Sequence, residues 1–259
     1  MACQSKYVDS GNLVMAGEMF ERNCLKTLPP VLYWYFVKKF ADPHEWFEAR
    51  MRFTLSVAVW SAVGHVIGLG DRHTENILLD VSTGEVVHVD FDCLFDKGLK
   101  LARPEVVPFR LTANMIDCMG ASGYEGSFRG GMINCMRVLR EQRELLLAVL
   151  QPFILDPIIQ WKSRDRSRNE KAGPAGREVA NDAGRKNIAV IDGRLRGVFN
   201  LVNPNNVKIK RTDGHVAHQE DDDGRILPLG VEGQVNKLII EATKSENLVQ
   251  MYVGWMSWV

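Results

Sequence analysis

Between Gly68 and Asp92 the stretch GLGDRHTENILLDVSTGEVVHVDFD gathers Asp71, His73, Glu75, Asn76, Asp80, Asp90 and Asp92 between apolar runs. Carboxylate and amide oxygens are hard ligands suited to magnesium. A carboxylate close to an imidazole can also take up and return a proton. Phosphoryl transfer asks for little more, since it depends on positioning and charge neutralisation rather than on covalent chemistry by the protein.

The spacing sharpens this reading. Protein kinases use H-R-D-x-x-x-x-N for the proton acceptor and one metal ligand, and then, across a hairpin, D-F-G for the second ligand. Here Asn76 follows Asp71 by five residues, and Asp90-Phe91-Asp92 stands where D-F-G would. A lone Asp-x-x-x-x-Asn is too common to carry weight, and so is a hairpin bounded by acids; their joint occurrence carries it. The pattern makes Asp71 the proton acceptor and Asn76 and Asp90 the metal ligands. His73 can donate to the transferring phosphate. Asp80 and Glu85 are given no direct role, and His88, inside a strand, reads as structural.

The flanking segments must position these groups. NILLDV and EVVHVDF, joined through Ser82-Thr83-Gly84, predict a hairpin. Before it, two helices are predicted on either side of Asp42-Pro43, the second apolar on nearly every face toward its C-terminal end, as in a helix through a core. A short helix is predicted near Leu13–Leu25, stopped by Pro29-Pro30. After the hairpin, the run Tyr124–Ile154 has helical spacing, with Met132, Cys135, Met136, Leu139 and Leu146 on one side. Residues 162–187, charged and rich in Gly and Pro, predict a disordered linker. A short helix follows from Ile188, then a polar stretch with the acidic run Glu220 to Asp223. VEGQVNKLIIEA is amphipathic, and ENLVQMYVGWMSWV is predicted to align Leu248, Met251, Tyr252 and Trp255 on one helical face.

The bulk composition agrees with a folded domain. The chain has 259 residues, 46% of them hydrophobic, and its 32 basic and 32 acidic residues balance. That balance gives no electrostatic ground for a nucleic-acid or membrane partner. The most apolar window, Phe53 to Gly70, is interrupted by serines, His65 and glycines, as in a buried helix rather than a membrane span. No signal peptide is apparent. The five cysteines (Cys3, Cys24, Cys93, Cys118, Cys135) are odd in number and lack a C-x-x-C pair, so they read as reduced thiols.

GLGDRHTENIL with HVDFD resembles the inverted catalytic loop of the phosphatidylinositol 3-kinase-related protein kinases, which carry D-R-H in place of H-R-D. VPFRLT, Val107 to Thr112, is similar to the end of their activation segment, and residues from Val231 onward resemble their terminal FATC domain. PPVLYWYFVKKFADPHEWFEAR, VHVDFDCLFDKG and MYVGW are most similar to the ATR-type DNA-damage checkpoint branch, in its fungal form.

The resemblance implies an α+β, mostly α, kinase C-lobe over residues 1–161, with a catalytic loop at 68–78 and an activation segment at 90–112. A regulatory helix and acidic loop at 188–226 and a FATC domain at 227–259 follow. It implies ATP and Mg2+ or Mn2+ as cofactors, protein substrates with Ser/Thr-Gln sites, a regulatory subunit and activator proteins as partners of the full-length chain, and a nuclear location. Nothing before Asp71 supplies a Gly-rich loop or a nucleotide-binding lysine on a strand, so the N-lobe is expected to be absent and the chain inactive by itself. Two other readings fit the same letters: a phosphoinositide kinase, and a truncated binding module that competes for activators. The FATC-like ending and an activation segment with only Lys97, Lys100, Arg103 and Arg110 as cations argue against the first.

Overall fold

A computed structural model describes residue 8 and residues 11–155, 174–198 and 228–259. Helix α1 (Leu13–Phe20) starts at Asn12, whose Oδ1 accepts the Met15 N–H, and runs into a wider π-type turn over Glu21–Leu25. Helices α2 (Leu32–Lys39) and α3 (Pro43–Ile67) part at Asp42, as their sequence predicts. Asp42 accepts the His44 and Glu45 N–H groups, and Pro43 takes the first helical position, where a missing N–H costs nothing. Helix α3 stops at Gly68 in the left-handed conformation (φ 64°). A side-chain carbon there would stand 2.7 Å from the Asp96 backbone nitrogen, so the turn into the next segment requires glycine.

Strands β1 (Ile77–Leu79) and β2 (Val86–His88) pair antiparallel with Ile77 opposite His88 and Leu79 opposite Val86. Asp80 builds the turn: its Oδ1 accepts from the Ser82 and Thr83 backbones and from the Ser82 hydroxyl. The helix Ala113–Cys118 (α4) follows the long connection out of β2. The run expected as one helix from Tyr124 is instead two, α5 (Ser127–Glu141) and α6 (Arg143–Leu155), broken where Gln142 leaves helical geometry (φ −92°, ψ 20°). The break lets the two halves serve different neighbours: α5 packs on α3, and α6 packs on α7 (Pro174–Leu195). The approach of α5 to α3 is close, since a side-chain carbon at Gly131 would meet Leu55 at 3.0 Å and Ala58 at 3.3 Å.

Helix α7 corrects the expected linker, because residues 174–187 are helical. Low apolar content misled the sequence reading there; α7 fixes its later half through buried Ile191 and Leu195. Residues 162–173, the acidic run at Glu220 and the end of the helix expected from Ile188 lie outside the described residues.

Helix α8 (Val231–Thr243) buries Val235, Leu238, Ile239 and Ala242 in the main core with Phe53, Val57, Ala58, Ala62, Phe128, Met132 and Met136. Its Gln234, fully buried, donates to the Arg194 carbonyl (2.9 Å) and accepts from Arg140 (2.5 Å). The last segment is not one helix: α9 (Ser245–Leu248) gives way to a 3-10 turn at Val253–Trp255, so Tyr252 is 64% exposed while Leu248, Met251 and Trp255 are buried. Those three residues join Val249 and, from α1, Ala16 and Phe20 in a second core. No described helix is long and apolar enough to cross a membrane.

Candidate active site

The loop between α3 and β1 is organised by its own polar groups. Asp71 is in the left-handed conformation (φ 60°), which aspartate tolerates better than most residues. Its N–H donates to Glu105 Oε2 at 2.6 Å, and its carbonyl accepts the Asn76 side-chain amide at 2.8 Å. His73 Nδ1 accepts the Glu75 N–H, which leaves the ring proton on Nε2, 4.0 Å from Asp71 Oδ2. The Asp71 and His73 side chains are 43% and 27% exposed, so both can reach a substrate.

Arg72, between them in sequence, is 3% exposed and points inward. Its guanidinium donates to the carbonyls of Gly70 (2.8 Å), Val89 (2.8 Å), Asn76 (3.5 Å) and Asp90. Burial pulls its pKa down, while Glu105, Asp71 and Asp90 counter that pull. One side chain thus ties the loop to the end of β2, and the Val89 N–H adds a bond to the Asn76 carbonyl at 3.1 Å. Asn76 and Asp90 therefore sit on adjoining backbone strands. Asp90 is also left-handed (φ 58°), and its Oδ1 accepts the Asp92 N–H.

The four predicted residues Asp71, His73, Asn76 and Asp90 are brought to one junction of loop and hairpin. Because the Asn76 amide nitrogen is committed to the Asp71 carbonyl, its oxygen is the end left to bind a cation. No group of three or more His, Cys, Asp or Glu suited to a metal occurs among the described residues. A site with two protein oxygens still fits magnesium, which completes its shell with water and substrate phosphates. Glu75 is exposed and Asp80 belongs to the turn. His88 stacks on Trp60 at 4.6 Å and 4°, a structural role as predicted, and burial holds its pKa down at about 4. A groove of about 730 Å³ lined by Pro30, Tyr33, Ile116, Asp117 and Tyr124 contains none of the loop residues.

Sequence reasoning missed the roles of Arg72, Glu105 and Arg110 at this site. Arg110, buried in VPFRLT, donates to the carbonyls of Trp255 (2.5 Å), Met256 (2.9 Å) and Val259 (2.8 Å), and also to Arg72 at 3.4 Å. Burial lowers its pKa to about 10. A cation placed between Phe109 and Leu111 in an apolar run was the available signal, because such a residue is buried only when it has partners.

A helical lobe whose hairpin sets a D-R-H loop beside a D-F-D turn defines the C-terminal lobe of a kinase-type fold. The chain belongs to the phosphatidylinositol 3- and 4-kinase family, whose sequence model matches residues 2–163, and its residues 228–259 match the FATC domain. It is 44% identical over 244 residues to the serine/threonine-protein kinase ATR of Oryza sativa subsp. indica, covering 94% of this chain and 8% of that protein. It is 40% identical over 242 residues to protein kinase rad3 of Schizosaccharomyces pombe, covering 93% and 9%. Among solved structures, the FAT and kinase domain of CtTel1 matches 100% of this chain and 16% of its own at 31% identity and a TM-score of 0.68. A Tel1 kinase butterfly symmetric dimer matches 92% of this chain and 9% of its own, at 33% identity and a TM-score of 0.71. The chain spans less than a tenth of the length of these curated relatives.

Proposed function

We propose that this chain is the catalytic C-lobe and FATC portion of a checkpoint-type serine/threonine kinase, which moves the γ-phosphate of ATP to Ser/Thr-Gln sites of protein substrates in nuclear DNA-damage signalling. One observation carries the reading: Asp71, Asn76 and Asp90 are locked together through the Asn76–Asp71 hydrogen bond and the Arg72 clasp of the Asn76 and Asp90 carbonyls. The likeness to kinases named ATR and rad3 supports a serine/threonine protein substrate; the Ser/Thr-Gln sites and the nuclear setting are what the sequence resemblance implies.

In this mechanism Asp71 accepts the proton of the attacking hydroxyl. His73, whose Nδ1 accepts the Glu75 N–H so that Nε2 carries the ring proton, donates to the phosphoryl oxygens. The amide oxygen of Asn76 and the carboxylate of Asp90 would hold Mg2+ or Mn2+. Bound there, the ion neutralises charge on the phosphates. On this reading activity requires a nucleotide-covering lobe, with a regulatory subunit and activator proteins as partners.

The phosphoinositide reading loses support from Arg110. That cation is spent on backbone carbonyls inside the fold rather than offered to a lipid headgroup.

The test is Asp71→Asn in the full-length polypeptide, assayed with a Ser-Gln peptide. The expected loss is at least about 10²-fold, the usual contribution of a general base. A wild-type rate in that variant overturns the assignment. A wild type that phosphorylates no peptide, yet binds activators, favours the binding-module reading.

A further inference from the structure

Glu105 takes no part in the chemistry above, yet it is built into the loop that performs it. Its Oε2 accepts the Asp71 N–H at 2.6 Å, and its own N–H donates to the Gly98 carbonyl at 3.1 Å. Two glycines make the room for that oxygen. A side-chain carbon at Gly70 would stand 2.8 Å from it, and one at Gly98 would stand 2.7 Å from it. Both distances are below any ordinary contact, so a methyl group at either position expels the carboxylate from its niche.

The placement is electrostatically unfavourable, which argues against simple space filling. Burial raises the Glu105 pKa, and the Asp71 carboxylate raises it further; the Asp71 N–H, the Trp255 side chain and Arg72 act the other way. Glu105 Oε1 is buried with no hydrogen-bond partner, and so is Trp255 Nε1. These two side chains are neighbours that stop short of hydrogen-bond geometry. A buried unmet oxygen is costly, and a glutamine or an apolar residue would fill the same volume without setting a second carboxylate near the first.

What the arrangement gains is control of Asp71. A non-glycine residue at φ 60° is held there only when its surroundings over-determine it. The short, charge-assisted bond to its N–H does so from one side, and the Asn76 amide on its carbonyl does so from the other.

We propose that Glu105 is a positioning residue for the catalytic loop: seated between Gly70 and Gly98, it grips the Asp71 amide and so aims the Asp71 carboxylate at the reacting hydroxyl. The inference rests on the reading of Asp71 as the base.

The test compares Glu105→Ala, Glu105→Gln and Gly98→Ala in the full-length polypeptide, with Asp71→Asn as reference. Glu105→Ala is expected to lower kcat about 10²-fold, the cost of misplacing a reacting group by roughly 1 Å, with KM for ATP unmoved. Glu105→Gln, which keeps an oxygen for the Asp71 amide, recovers most of kcat. Gly98→Ala retains the carboxylate but displaces it, so it reproduces the alanine defect in kcat, and the double variant is no worse than either single one. Hydrogen exchange at the Asp71 amide speeds up in Glu105→Ala and Gly98→Ala but not in Glu105→Gln. An unchanged kcat in Glu105→Ala beside an inactive Asp71→Asn overturns the proposal alone, as does an alanine-like loss in the glutamine variant or slow exchange at Asp71 throughout. An active Asp71→Asn overturns the reading beneath it. If Glu105→Ala fails to fold, Gly98→Ala decides.

Discussion

Arg110 and Trp255 lie 145 positions apart in sequence and touch: the guanidinium stands 4.4 Å above the indole ring while Nη1 donates to the Trp255 carbonyl. The arginine closes the run Val107–Thr112 onto the FATC segment. Arg110→Met retains much of the apolar stem but strips the donors from the carbonyls of Trp255, Met256 and Val259. Leaving buried acceptors unmet costs about 1–3 kcal/mol each, so a loss of about 3 kcal/mol is expected in thermal unfolding, with faster proteolysis after Leu248. Lysine at this position should not restore it, because an ammonium cannot fork to several carbonyls.

Arg72 is a second such clasp, placed inside the loop between α3 and β1. Arg72→Ala removes the donors to Gly70, Asn76, Val89 and Asp90 together. We expect manganese affinity, followed by calorimetry, to fall by about 10-fold or more, in the range found when groups that orient metal ligands are removed. Affinity equal to wild type would separate Asn76 and Asp90 from the metal.

Acid should weaken the fold through His65. Burial, and then the Arg194 charge, hold its pKa well below 6.5, and its Nε2 has no partner. The unfolded chain therefore binds the proton more readily, so stability is complete above pH 6.5 and falls as pH drops below that value. His88, held at about 4, acts in the same direction between pH 6.5 and 4. Denaturant titrations of His65→Leu across this range should show a slope smaller by up to about 1.4 kcal/mol per pH unit, the value for one proton. An unaltered slope counts against a neutral buried His65.

Gly68→Ala should be among the costlier single-methyl changes. The left-handed conformation costs an alanine about 1–2 kcal/mol. The clash with Asp96, which Arg194 holds through both carboxylate oxygens, adds about 1–3 kcal/mol of overpacking. Circular-dichroism melts that show no shift would mean the α3 terminus can relax away from Asp96.

What the letters revealed was local. Asp42-Pro43 announced a helix start, Ser82-Thr83-Gly84 a turn, and the spacing of Asp71, Asn76 and Asp90 a shared junction, because each signal is decided by residues close in sequence. The niche for Glu105 is made by Gly70 and Gly98, and the partners of Arg110 come from the far end of the chain, so neither has a local signature. Helical periodicity ran straight through Gln142, where a break serves packing on α7. It also placed Tyr252 with Trp255, although a 3-10 turn separates their faces.

The second core unites Ala16 and Phe20 with Leu248, Val249, Met251 and Trp255, and Ser245 bonds to Glu21 across 224 positions. During synthesis at roughly 5–20 residues per second, α1 leaves the ribosome on the order of 10–40 s before the surface that shelters it. For that interval Phe20 lacks its partners from Leu248 to Trp255 and keeps only neighbours from its own end of the cluster, such as Ala16, Cys24 and Leu25. Arg110 waits in the same way for the carbonyls of Trp255, Met256 and Val259, so the loop that holds Arg72 acquires its final support only after translation has delivered the FATC segment.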